Sequence, residues 1–361
     1  MIDIAKVSYR IVAVTPEGEQ IDITDISTKL GWEEGAKELS ARISLDIYDA
    51  QYKGKYMHEM IVPMTPIFVY SVIDGKSEEV IRGTVMSWGV NENNGTQSIS
   101  ITAYDEAIAL RHNKENRYFS DGATSKSIIC KILDDWNVKY NYQGPDVKHA
   151  KFAFKNEYLS DMIFKVLDDA KKKGAGSFFV RANKGVLDIV PRGGNEDIYH
   201  FGMDDNLVKT TDTFDCSNVV TRVVIVGKED KEGHQKVESV ISKKTETYGV
   251  RQEIYQRDTD KSLDDATKAA NELLKEKGGM KRSTSVQAPD VPFIRKGDRI
   301  RVHANTVHGY FFVQSIQHNA ENKTMTMKLD EDKKKNREVA EANGETYVEL
   351  DTVTEDEYTG S

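Results

Sequence analysis

The sequence predicts a mainly β, α+β fold: two similar β-barrel domains, an inserted small α/β domain and a helical excursion within the second barrel. Three observations carry this expectation. Apolar and polar residues alternate through both ends of the chain, helical spacing is confined to a few inner segments, and a pattern at residues 64–105 recurs at 295–331. The first copy reads TPIFVYSV, EEVIRGTVMSW and TQSISITAYD; the second reads GDRIRVHA, HGYFFVQSI and KTMTMKLDE. Val85 and Ser87 match Val313 and Ser315, and Ile99, Ile101 and Ala103 match Met325, Met327 and Leu329. The loop before the third strand is two residues shorter in the second copy. An even difference leaves every side chain on its original face.

Residues 1–113 are expected to form the first barrel. Val7, Tyr9, Ile11 and Ala13 alternate, PEGE supplies a turn before IDITDI, and Leu39, Ala41, Ile43, Leu45 and Ile47 share one face. EAIALRHN leads out through a short helix or linker. Residues 114–205 read as the inserted α/β domain. In TSKSIICKILDDWNV, Ile128, Ile129, Ile132, Leu133 and Trp136 recur at helical spacing behind a Thr or Ser cap. A second helix starts near Ser160, turns Met162, Ile163, Val166 and Leu167 to one side, and ends in lysines before Gly174. Two strands, GSFFVRAN and GVLDIVPR, follow around an Asn-Lys-Gly turn.

Residues 206–335 are expected to form the second barrel, opened by CSNVVTRVVIVGK with Val220, Val223, Val224 and Val226 buried. ISKKTETYGV and RQEIYQRD read as edge strands. SLDDATKAANELLKEKGG reads as a helix capped by Ser262 or Asp264, with Ala266, Ala269, Ala270, Leu273 and Leu274 as its apolar face and Gly278 as its end. This strand and helix make an excursion at 250–290. Residues 336–361 hold few apolar side chains and more acid than base, which predicts an acidic, flexible tail that orders on a partner.

A chain of 361 residues suits two or three domains. Its net charge of −9 argues against nucleic acid as the main partner, because phosphate binding needs a basic footprint. No apolar run approaches the ~20 residues of a membrane span, so membrane insertion is not expected. MIDIAKVSYRIVAV starts directly as a strand and lacks a secretory layout. Cys130 and Cys216 fall in different segments, which fits free thiols in a reducing compartment and synthesis in the cytoplasm.

Motifs for chemistry are scarce. The sequence holds no glycine-rich phosphate loop, nucleophile elbow or paired-histidine zinc motif. His303, His308 and His318, near Asp298 and Asp330, are the best metal candidates; they read as surface or strand-end residues. A glycosidase needs two carboxylates in contrasted environments, and Asp46 with Asp105 is one such pair; both read as solvated charges. Trp32, Trp88 and Trp136 form no stacking platform, and Trp136 belongs to a helix core. Lys333, Lys334 and Lys335 read as a solvated linker, and Gly297-Asp298 as a turn. No catalytic, metal or cofactor-binding residue is assigned, no cofactor is expected, and the chain is not expected to be an enzyme.

FDCSNVVTRVVIVG, LDDATKAANELLKEKG, VPFIRKGDRIRV and FFVQSIQHNAENKTMTMKL, in that order, resemble the XkdQ or late-control-D type of phage tail protein. GTVMSWGVNENNGTQSISITAYDEAIAL fits the same family, in which a barrel ends in Tyr-Asp, here Tyr104-Asp105. The resemblance covers about residues 1–335. It implies the baseplate hub of a contractile phage tail or tail-like bacteriocin, similar to the central hub of the T-even phages. It further implies tube-type barrels and a homotrimer whose paired barrels make a pseudo-hexameric ring between a sixfold tube and a threefold spike. The implied partners are the tail tube or its initiator, a separate spike protein, other baseplate proteins and the tape measure. Alternatives are a tail-associated peptidoglycan hydrolase and a receptor- or carbohydrate-binding tail-tip protein.

Overall fold

The structure, a computed structural model, describes residues 6–36, 38–93, 95–229, 231–259, 261–348, 350, 352 and 353. The described residues divide into two compact units, one from those up to 210 and from 285–332, the other from 211–284 and from 333 onward.

In the first unit, alternation dictates sheet faces. Ile11 and Ala13 of strand Ser8–Val14 are buried, as are Ile43, Leu45 and Ile47 of strand Arg42–Tyr48. The hairpin Pro66–Ile73 to Lys76–Asn93 turns on Asp74 and Gly75, both at positive φ, the backbone that two-residue hairpins favour. Thr96–Tyr104 then returns along Lys76–Asn93, so that Ile67, Val69, Val85, Ile99, Ile101 and Ala103 close on one apolar core. Burying each such side chain stabilises by about 1.5–3 kcal/mol for the larger ones.

The second copy repeats this meander in strands Arg299–His303, His308–Asn319 and Thr324–Glu331. The repetition extends to an irregularity. A β-bulge lies between Val85 and Ser87 where they face Ala103 and Thr102, and another between Val313 and Ser315 where they face Leu329 and Lys328. Past the bulge Trp88 and Val90 pair with Ile101 and Ile99, just as Ile316 and His318 pair with Met327 and Met325. A bulge adds one residue to one strand and bends it, so finding it at matched positions marks a repeated module, beyond shared alternation. Its core gathers Val286, Ala288, Ile300, Val302, Val313, Met325, Met327 and Leu329.

Helices Ser125–Asp135 and Leu159–Lys172 and the sheet of strands Tyr140–Tyr142, Val186–Pro191 and Phe178–Asn183 form the α/β part of the unit. Thr124 caps the first helix, accepting the Ser127 N–H through its hydroxyl. Ile128, Ile129, Ile132 and Leu133 meet Met162, Ile163, Val166 and Leu167 in one core with Val180, Leu187 and Ile189. Trp136 ends its helix and packs half-buried on that core. Lys184 and Gly185, both at positive φ, make the expected tight turn.

The second unit differs from the expectation. The strand carrying Val223 and Ile225, Arg222–Glu229, is buried as foreseen, but its neighbours are Gln235–Ser242 and Gln252–Gln256 in a separate three-stranded sheet. Val220, Val223 and Ile225 pack under Ala266, Ala270 and Leu274 of helix Leu263–Lys277, so this strand has its own core and not the barrel's. Ser262 caps that helix. ISKKTETYGV is only partly a strand, which ends at Ser242; Thr245–Tyr248 coils into a helical turn after Lys244, which takes a left-handed conformation. The region expected to be a tail begins as helix Lys333–Ala342, which buries no side chain. The tail from residue 354 lies outside the described residues.

Candidate functional site: the junction between the repeated modules

Strand Ser27–Glu34 of the first module is the structural hinge of the first unit. One edge pairs with Arg42–Tyr48, and the other takes Ile316–Asn319 of the second module. The pairs are Glu34 with Ile316, Glu33 with Gln317, Trp32 with His318 and Gly31 with Asn319. Gly31 is required here, because a Cβ would lie 2.9 Å from the His318 carbonyl oxygen.

Two buried polar groups flank this pairing. On one side the His318 ring stacks on Trp32 at 4.4 Å between centroids, and Tyr9 meets Trp32 edge-on at 5.3 Å. Tyr9 Oη donates to Asp290 Oδ2 at 2.5 Å, and Asp290 Oδ1 lies 2.6 Å from His318 Nδ1. Burial and the Asp290 carboxylate push the Tyr9 phenol up, so it remains a donor.

On the other side Arg295 binds Glu34 through Nε and, at 3.2 Å, through Nη2, while Nη2 also donates to the Ala182 carbonyl at 2.8 Å. Lys296 Nζ donates to the Gly35 and Glu38 carbonyls. Arg181 joins Asp298 Oδ1 and the Lys296 carbonyl, and Asp298 Oδ2 accepts the Arg295 N–H. Burial alone would push the Glu34 carboxyl up; Arg295, with Lys296 and Arg181 behind it, outweighs this and holds it below the usual carboxylate range. Burial pushes the Lys296 amine down. Asp105 ends the same neighbourhood: burial raises its carboxyl to about 6 although the Ala41 and Ala107 N–H groups both donate to it. Glu34, Asp105, Arg181, Arg295 and Asp298 thus bring both modules and the α/β part to one dry centre. Its chemistry is cohesion, since every charge is paired or hydrogen-bonded within it.

The residues weighed for chemistry are dispersed. His303 and His308 face each other across a strand end with ring centroids 4.7 Å apart, whereas His318 lies inside its strand and fully buried, contrary to the strand-end expectation. Among the described residues no group of three His, Cys, Asp or Glu is placed to hold a metal ion. Asp46 binds Lys29 and Ser100 at the surface, while Asp105 is buried, so the expectation of a solvated charge fails for the latter. Asp330 binds Arg192. Gly297 turns at φ +93°, with the Phe179 ring 2.8 Å from where a Cβ would stand. Lys333, Lys334 and Lys335 lie on a helix, with Lys335 near Glu338.

One constellation escaped the sequence. Ser125 Oγ lies 2.6 Å from His149 Nε2, and His149 Nδ1 lies 2.5 Å from Asp169 Oδ2, the order of a nucleophile, base and acid. Ser125 is fully buried in the first turn of its helix and also reaches the Val147 carbonyl at 3.3 Å. With no approach for a substrate, the three residues tie a helix start to the chain around Val147 and to the helix Leu159–Lys172. A cleft of about 390 Å³ elsewhere in this unit is lined by Arg82, Lys139, Lys184 and a single acid, Glu106. A hydrolase working with paired carboxylates would need a second.

No curated protein sequence matches the chain. Among solved structures, the 43 kDa tail protein of prophage MuSo2 from Shewanella oneidensis aligns over 90% of this chain and 98% of its own, at 15% identity and a TM-score of 0.64. A tail protein from Neisseria meningitidis MC58 aligns over 90% and 97%, at 14% identity and 0.61. Prophage tail protein gp18 from Listeria monocytogenes aligns over 92% and 97%, at 14% identity and 0.51. At such identities the likeness establishes the shared fold. A family model described as YQBQ-like matches residues 68–331, a span that begins two residues into strand Pro66–Ile73 and holds the rest of the first meander, the α/β part and the second meander to the end of its last strand. The protein therefore belongs to the YQBQ-like family.

Proposed function

We propose that this chain is the structural hub of a baseplate, in a contractile phage tail or a tail-like bacteriocin. In this reading it is a homotrimer whose two modules per chain make a pseudo-sixfold ring. Such a ring matches a sixfold tail tube or its initiator on one side and a threefold spike on the other, with other baseplate proteins and the tape measure as further neighbours. The observation that carries the reading is the module repeated down to its bulge, with both copies held in one unit by a shared strand. A duplicated module lets a threefold assembly present a sixfold docking surface. The tail proteins that share this fold support the setting, and the full burial of Ser125 favours a structural role for the Ser125–His149–Asp169 group. A cryo-EM map of the native particle, with copies counted around the axis, tests it. Three copies are expected; two or six copies at the axis would sink the adapter mechanism.

A further inference from the structure

We infer that copies of this chain join by strand pairing: residues 88–91 of one copy's first module pair antiparallel with strand Lys209–Asp215 of a second copy. The inference rests on the ring reading above and names the contact that closes it.

The argument starts from the junction inside the chain. The stretch Ile316–Asn319 lies past the bulge of its strand and is covered by Ser27–Glu34. By the matched bulges, residues 88–91 occupy the same place in the first module. There the cover is missing. Strand Pro66–Ile73 pairs with Lys76–Asn93 only as far as Thr84, and among the described residues 88–91 pair with Thr96–Tyr104 alone. Exposure reports the difference at one matched position: His318 is 1% exposed under Trp32, whereas Val90 is 41% exposed. An open strand edge with an apolar side chain is a template for another strand.

The sheet order identifies that strand. Ser27–Glu34 stands beside Arg42–Tyr48, and Lys209–Asp215 stands beside Met280–Pro289 at the end of the order, with its outer edge free among the described residues. The buried run Thr284, Val286 and Ala288 repeats Ile43, Leu45 and Ile47. Trp32 lies opposite Ile43; Asp212 accepts the Thr284 hydroxyl at 2.7 Å and the Arg282 guanidinium at 3.0 Å, which sets it beside this run, and the proposed match is Asp212 to Trp32. Phe214, two residues on, is 44% exposed. Each chain therefore carries one uncovered acceptor edge and one unused donor strand, and the partner that supplies the missing member of each is a second copy. Carrying over the internal register sets Trp88 against Phe214, Gly89 against Thr213, Val90 against Asp212 and Asn91 against Thr211 of the neighbour. The contact is head-to-tail, which closes a ring when its rotation divides a full turn.

The test uses the full chain with Cys130→Ser and Cys216→Ser to remove the native thiols. Asn91→Cys is introduced in one preparation and Thr211→Cys in another, so any bond between them joins two copies. The two are mixed at the concentration where light scattering gives the largest mass, oxidised, and read by denaturing gel and peptide mass spectrometry. A 91–211 disulfide is expected as the main product, with at least ten-fold less from Ser87→Cys mixed with Thr211→Cys, which lies out of register. Trimers with no 91–211 bond, or with equal bonding from position 87, overturn the strand pairing and leave the ring reading standing. A chain that stays monomeric at its highest soluble concentration overturns the ring reading and the contact together. As a second measurement, Val90→Asp puts a charge that must stay hydrated where the pairing would cover an apolar side chain, beside the neighbour's Asp212–Arg282 pair. It is expected to abolish the trimer and leave the circular dichroism spectrum unchanged; a V90D trimer of undiminished stability overturns the contact.

Discussion

Replacing Glu34 with Gln keeps the shape of the charged centre and removes one charge. Arg295 would then hold a buried guanidinium with the Ala182 carbonyl still bound at 2.8 Å but its carboxylate partner gone. Asp298 cannot take over, because its oxygens already receive Arg181 and the Arg295 backbone N–H. Losing one partner of a buried pair costs about 3–5 kcal/mol. At about 2–4 °C per kcal/mol for a domain of this size, calorimetry should show the melting of the first unit fall by about 6–20 °C. Urea unfolding should show a lower midpoint at an unchanged slope, since the area exposed on unfolding is the same. Replacing both Glu34 and Arg295 with Met should recover part of the loss, because Arg295 is then no longer stranded while buried Lys296 still lacks its Glu34 countercharge. A loss under about 1 kcal/mol in E34Q would refute the reasoning: it would mean that water reaches Arg295 and that the centre is not a dry lock.

Three further outcomes are expected. Gly31→Ala pushes a Cβ to 2.9 Å from the His318 carbonyl, so hydrogen exchange at residues 316–319 should quicken by at least ten-fold while the helices keep their protection. Asp105, raised to about 6 by burial, binds a proton in the fold at a pH where the unfolded carboxyl has lost it. Its contribution is therefore greatest below pH about 4 and falls as pH rises to about 6, so wild type should lose about 2–3 kcal/mol relative to Asp105→Asn over that interval, read from urea midpoints. Finally, a fluorophosphonate probe should leave Ser125 of the native chain unlabelled; labelling that disappears in Ser125→Ala would revive the enzyme reading.

Much of the fold was legible because each module is written in period-two alternation with a matched loop, and faces follow directly from that. The bulge itself was not legible, since the matched residues stay in step whether both strands carry one or neither does. Alternation does not say which sheet a strand joins, so it does not distinguish the separate three-stranded sheet of Arg222–Glu229 from the barrel. The centre was illegible for a different reason. Glu34 and Arg295 are 261 residues apart, and each alone looks like an ordinary surface charge. His318 likewise reads as polar filler until Trp32 and Asp290 arrive from elsewhere in the chain. One signal was available for Gly31, a glycine inside an alternating strand, which marks a close backbone approach.

The shared strand also sets a schedule for biosynthesis. Glu34 leaves the ribosome long before Ile316, the residue that pairs with it. At about 5–20 residues per second, the edge of Ser27–Glu34 stays bare for about 15–60 s, far longer than the microseconds a hairpin needs to form. During that wait a neighbouring nascent chain can offer its own late strand first, and two chains would then exchange halves. Folding to the correct monomer is thus a race between the end of translation and encounter with a sister chain. Slower synthesis or denser polysomes should tilt it toward entangled dimers.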